Sequence, residues 1–160
     1  MGAGKTATGK ALARLMQMEF LDLDEAIEAE THLSINEIFQ KKGEPFFRAE
    51  EKRLLERIAA GSGTVVATGG GIVLNPANAA EMRRTGRVIY LVGSYETLWE
   101  RVREKKDRPL LAVADPQTTF LKLFQERRPL YETCCHESVE TDGLSPEDTA
   151  EKIMKESKLK

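Results

Sequence analysis

Residues 1–10 read Met1-Gly2-Ala3-Gly4-Lys5-Thr6-Ala7-Thr8-Gly9-Lys10, and the first six decide the fold. Gly4-Lys5-Thr6 is the second half of the phosphate-loop pattern G-x-x-x-x-G-K-[ST], opening a helix predicted from Lys5 to about Met16. Glycines let backbone N–H groups curl round a phosphate, and a helix N-terminus favours an anion. A lysine reaches the β- and γ-phosphates, and a hydroxyl ligates Mg²⁺. Gly2, Ala3, Gly4, Lys5, Thr6 and Ala7 are the candidate nucleotide-binding positions, with Thr6 a candidate Mg²⁺ ligand. The first glycine of the full pattern falls two positions upstream of Met1, and the strand feeding such a loop lies further upstream still. In a doubly wound sheet that strand is usually central, so its neighbours are expected to carry unpaired backbone and apolar surface. Either a natural chain with about ten more residues or a protein that handles ATP poorly without them fits this start; a flexible terminus is the plainer alternative.

Outward from the loop, Glu19–Asp22, Thr64–Thr68, Arg87–Val92 and Ser138–Thr141 read as strands separated by amphipathic helices. Ser34 with Glu37 makes a capping box, and Gly43 stops that helix. Asn75-Pro76, Asp115-Pro116 and Ser145-Pro146 each put a capping residue before a proline at the first helical position. The alternation predicts an α/β fold in three layers, α/β/α, with a mostly parallel sheet covered on both faces. The 160 residues make one domain, 1–160. A formal charge of −2 argues against a nucleic-acid partner. Apolar runs such as Val88–Val92 and Leu110–Ala114 reach five residues, against about 20 for a bilayer, so no membrane partner is expected. No signal-peptide stretch opens the chain, and the adjacent Cys134 and Cys135 read as reduced thiols, which together predict a cytoplasmic protein. Cys134-Cys135-His136 lacks the spacing with which ligands wrap a metal. No heptad is present and a monomer is expected, although an open sheet edge would invite association.

Phe20-Leu21-Asp22-Leu23-Asp24 puts two carboxylates at i and i+2 at a strand end, where they are expected to point to one side. Beside a phosphate loop, one would polarise the shell of a Mg²⁺ ion and the other take a proton from a substrate hydroxyl. A solvated strand end, with Asp24 capping a helix over Glu25–Glu30, is the alternative. Gly43 opens a long helix running to Ala60 and stopping at Gly61, with Arg48 and Glu51 at i and i+3. Val65-Val66-Ala67-Thr68-Gly69-Gly70-Gly71 is a strand delivering three glycines, as needed where backbone closely approaches a ligand. Arg101–Asp115 runs from a charge cluster into an apolar patch and reads as a mobile loop or a solvated helix end.

In this order and spacing, Gly4-Lys5-Thr6, Asp22-x-Asp24, Phe47-Arg48 with Glu51, the run to Gly69-Gly70-Gly71, Arg108-Pro109-Leu110-Leu111 and Arg127-Arg128-Pro129-Leu130-Tyr131 resemble the shikimate kinase family over nearly the whole chain. The resemblance implies a phosphate-loop kinase fold like that of the nucleoside monophosphate kinases, with a mobile lid at about 101–115 and a substrate-binding helical region at about 24–60. It implies ATP and Mg²⁺, and transfer of the γ-phosphate to the 3-hydroxyl of shikimate in aromatic amino-acid biosynthesis. By the same resemblance Lys5, Asp24 and Arg108 are catalytic: Asp24 holds the ring hydroxyls and acts as the base, and Arg108 reaches the transferred phosphate. Arg48 and Arg127 grip the substrate carboxylate, Gly70 and Gly71 offer N–H groups beside it, and Glu51 orients Arg48. Asp22 stands with Thr6 at the Mg²⁺ site. Arg101 or Arg103 assists near the nucleotide, and Asp142-Gly143-Leu144-Ser145 packs on adenine. Two other readings are an inactive binding module of the same fold and a sister kinase for gluconate or a nucleotide. The sister kinase fits the phosphate loop but not the Arg48, glycine and Arg127 set.

Overall fold

Helix starts follow local capping chemistry. The structure is a computed structural model describing residues 1–104 and 109–157. Ser34 Oγ accepts from the Glu37 N–H, and the Glu37 carboxylate accepts from the Ser34 N–H at 3.0 Å, closing the capping box of α3 (Ile35–Lys41). Asn75, Asp115 and Ser145 cap α5 (Pro76–Thr85), α7 (Pro116–Cys134) and α8 (Pro146–Glu156), each with proline at the start of the helix. The remaining helices are α1 (Lys5–Met16), α2 (Leu23–Thr31), α4 (Glu44–Ala59) and α6 (Tyr95–Val102), with short 3₁₀ turns at Ile72–Leu74 and Pro109–Leu111.

Among the described residues all strand pairing is parallel. β1 (Glu19–Asp22) lies beside β2 (Thr64–Ala67), Glu19 opposite Thr64. β3 (Ile89–Val92) lies beside β4 (Glu137–Glu140), Ile89 opposite Glu137. β3 begins two residues later than predicted: the Val88 N–H goes to the His136 ring, at 3.0 Å from Nδ1, while the Val88 carbonyl still accepts from the His136 N–H at 2.9 Å. On one face α1 and α8 bury Leu12, Ala150 and Ile153 against Val65, Ile89 and Val139. On the other, α2 to α5 bury Leu23, Ile27, Ile38, Phe47 and Leu54. A third cluster, Ala3, Leu98, Val102, Leu111 and Phe120, seats the N-terminal loop on α6 and α7. This is the three-layer α/β/α arrangement. Among the described residues no helix is long and apolar enough to cross a membrane.

Among the described residues the mostly parallel sheet falls into two parallel pairs. Between them lies a cavity of about 500 Å³, bordered by Val65 and Val66 of β2 and Ile89 and Leu91 of β3, with Leu12 and Phe124 in its walls. Neither β1 nor β4 borders it, so the cavity occupies the middle of the sheet, where a loop-feeding strand would run. Residues 1–4 bridge its C-terminal end. The Met1 nitrogen is 3.8 Å from the place of a Gly70 Cβ, and a Cβ on Gly2 would sit 2.9 Å from the Leu98 carbonyl. Joining a β-branched segment of about six residues to Met1 is expected to pair with both edges and raise the thermal midpoint by about 5 °C or more. An unchanged midpoint in a melting experiment would show that the cavity does not accept a strand.

Candidate active site

The phosphate loop takes its shape from two left-handed residues, Gly2 at φ 78° and Gly4 at φ 79°, the second forming the N-cap of α1. Lys5 and Thr6 follow in the first turn of α1. Thr6 Oγ1 donates to Asp22 Oδ2 at 2.6 Å across the end of β1. The other oxygen, Oδ1, accepts from the Asp24 N–H at 3.0 Å and from the Glu25 N–H, so Asp22 and not Asp24 caps α2. The strand therefore ends at Asp22, and Asp24 sits inside the first turn of α2. The i, i+2 alternation of a continuing strand therefore does not hold across this pair. Asp22 faces the loop hydroxyl, while Asp24 Oδ1 faces Gly69. Arg101 Nη1 donates to the Gly2 carbonyl at 3.3 Å, whereas Arg103 turns to Glu100 at 3.1 Å. Arg108 lies outside the described residues.

The three glycines after β2 each meet a different functional group. An ideal Cβ on Gly69 would stand 2.9 Å from both Asp24 Oδ1 and Glu51 Oε1. On Gly70 it would stand 3.2 Å from the Tyr131 hydroxyl and 3.7 Å from Arg127 Nη1. On Gly71 it would fall inside the Arg48 guanidinium, 2.6 Å from its central carbon. None of the three has a left-handed φ, so the missing side chains serve close approach and not a turn. Asp24, Arg48 and Arg127 come from α2, α4 and α7, and they converge on this backbone together with Gly70 and Gly71.

Arg48 is held from two sides: Nη1 reaches Glu51 Oε2 and Nη2 reaches Glu44 Oε1, both at 2.9 Å, and the guanidinium lies 5.0 Å from the Phe47 ring centre. Burial alone would lower its pKa, but the two carboxylates more than reverse this. Glu51 has no exposed surface, and burial pushes its carboxyl above the ordinary range, with Arg48 opposing and Asp24 adding to the rise. Arg127 is 6% exposed, and its Nε has no hydrogen-bond partner among the described residues. A buried guanidinium with an unused donor is costly unless something accepts from it.

Sequence reasoning passed over Glu44 and Tyr131 as working residues. Glu44 stands four residues before Arg48 on one helix, a readable signal. The Tyr131 hydroxyl donates to the Gly70 carbonyl at 2.5 Å, across 61 positions of sequence, which no local pattern announces. Cys134 is buried, and His136 spends Nδ1 on the Val88 N–H.

The fold and this constellation define a phosphate-loop kinase of small molecules. The family model described as Shikimate kinase matches residues 1–158. A shikimate kinase of Thermodesulfovibrio yellowstonii is 41% identical over 98% of this chain and 90% of its own length, and one of Aromatoleum aromaticum is 46% identical over 82% and 75%. Among solved structures, the shikimate kinase of Acinetobacter baumannii in complex with shikimate superposes with a TM-score of 0.95 at 39% identity, covering 100% of this chain and 91% of that one. That of Aquifex aeolicus superposes with a TM-score of 0.87 at 31% identity, over 99% and 92%. The chain belongs to the shikimate kinase family.

The Gly71 contact yields a specific expectation. Gly71 has φ −95°, which alanine adopts freely, so Gly71→Ala should fold normally yet push Arg48 out of place. Calorimetry should show shikimate affinity falling by about 10- to 100-fold, the scale of losing a charge-assisted bidentate contact, with ATP affinity unchanged. Unchanged shikimate affinity would mean that Arg48 moves aside without consequence.

Proposed function

We infer that this chain transfers the γ-phosphate of ATP to the 3-hydroxyl of shikimate, giving shikimate 3-phosphate and ADP. The observation that carries the reading is the convergence of Arg48, Arg127 and Asp24 on the Gly69–Gly71 backbone. A ligand carboxylate there would meet two planar guanidinium groups, whose forked donors suit it better than lysine. The unused Nε of Arg127 supports an anionic ligand. Asp24, at the other end of the same stretch, is assigned to the ring hydroxyls and accepts the 3-hydroxyl proton as the new P–O bond forms. Family membership favours shikimate over gluconate as acceptor and an active enzyme over an inert module.

On the nucleotide side, the N–H groups of residues 2–6 and the Lys5 ammonium are assigned to the β- and γ-phosphates. Thr6 and Asp22 offer oxygen donors only, which fits Mg²⁺, an ion commonly held by one or two protein oxygens plus substrate phosphates. When bound, that ion neutralises charge on the phosphates. Arg108 is assigned to the transferred phosphate and residues 101–115 to a lid that keeps water from it. The reading fits a cytoplasmic monomer with reduced thiols, bound to no nucleic acid or membrane.

A coupled assay for ADP, with shikimate as acceptor and gluconate as control, tests the function directly: turnover with shikimate alone is expected, and turnover with gluconate alone would overturn the reading. Asp24→Asn should lower kcat by about 10²- to 10⁴-fold, the usual reach of a general base, with ATP affinity retained. Full turnover in that variant would remove Asp24 as the base.

A further inference from the structure

We propose that Tyr131 is a positioning residue for substrate: its hydroxyl holds the Gly70 carbonyl, and thereby aims the Gly71 N–H at the carboxylate gripped by Arg48 and Arg127. The proposal rests on the shikimate reading of the site given above. It starts from the 2.5 Å hydrogen bond between the Tyr131 hydroxyl and the Gly70 oxygen. In a trans peptide the C=O and the following N–H point in opposite directions. Fixing the Gly70 carbonyl toward α7 therefore turns the Gly71 N–H away from Tyr131. That N–H has no backbone acceptor among the described residues, although the adjoining groups are used: Ile72 N–H donates to the Gly69 carbonyl at 3.3 Å and Leu74 N–H to the Gly71 carbonyl at 3.0 Å. The Gly71 donor is left for a ligand.

A lock is needed because the peptide joins two glycines. With no Cβ on either side, both orientations of the Gly70–Gly71 plane are sterically accessible. The two orientations are opposites for an anion: one presents a donor, the other a carbonyl oxygen that repels it. The Arg48 guanidinium forces glycine at 71 and the Tyr131 hydroxyl crowds a side chain at 70, so the loop cannot be stiffened by a side chain of its own. Tyr131 supplies the stiffness from outside. Its ring packs on Tyr90, 5.1 Å between centroids, and sits against the main core cluster. Burial pushes its pKa up, which keeps the hydroxyl protonated and able to donate. Arg127 lies four residues earlier on α7, so one helix face delivers both a carboxylate-binding cation and the lock on the neighbouring donor.

Tyr131→Phe keeps the ring and removes only the hydroxyl. By calorimetry, its shikimate affinity should fall about 10- to 100-fold, the reach of one hydrogen bond to a charged group, with ATP affinity unchanged. The same comparison with a shikimate analogue bearing a hydroxymethyl group in place of the carboxylate should show no difference between the two proteins. Equal shikimate affinity in both proteins, or an equal loss for shikimate and the analogue, would overturn the proposal. A ligand-independent arm reads the Gly71 amide by NMR: one sharp resonance is expected in the parent and a broadened or doubled one in Tyr131→Phe. An unchanged resonance would overturn the lock even if the parent failed to bind shikimate, a failure that would itself count against the functional reading.

Discussion

The Arg48–Glu51 pair is the interaction on which the site depends. Glu51 carries no exposed surface, and an ionised carboxylate in such a place costs several kcal/mol unless it is paired. Arg48 supplies the pairing at 2.9 Å, one turn earlier on α4, and the helix is set in rotation by Phe47, Leu54 and Leu55, which face the core. The guanidinium is thereby carried to the boundary between the core and the glycine stretch, with Glu44 closing its outer side. A functional cation is thus anchored by a group that is itself structural. The position of Arg48 follows from the packing of α4 instead of from its own flexible stem.

The second constraint is topological. Parallel strands put all their C-terminal ends on one edge, so Asp22 at the end of β1, the glycines after β2 and the phosphate loop gather there without any special device. The central cavity lies beneath this edge, and residues 1–4 span the gap between the end of β2 and the start of α6. Their anchorage comes from the Arg101 guanidinium on the Gly2 carbonyl and from the small cluster around Ala3.

Features governed by residues within four positions of one another are legible in the sequence. The caps at Ser34, Asn75, Asp115 and Ser145, the helix opened by Lys5 and the Arg48–Glu51 spacing are all of this kind. The glycine triplet is legible as a close approach, but which groups approach is not, because they come from three different helices. The pair Asp22 and Asp24 shows why alternation fails at a strand end. Period two holds only while the chain stays extended, and a capping oxygen at Asp22 turns it into a helix one residue later. Tyr131 is hidden for the opposite reason: its partner is a backbone carbonyl, which has no letter in the sequence.

The stretch Gly69-Gly70-Gly71 has a mechanical meaning beyond its chemistry. Three helices bring their working groups to it, and each group stops against bare backbone. In a machinist's terms the three parts register on a common datum, so their placement errors do not add as they would if each located the next. A change in the packing of α2, α4 or α7 then moves one working group against its own glycine, within about seven ångströms of main chain, two Cα–Cα steps, and leaves the other two in place.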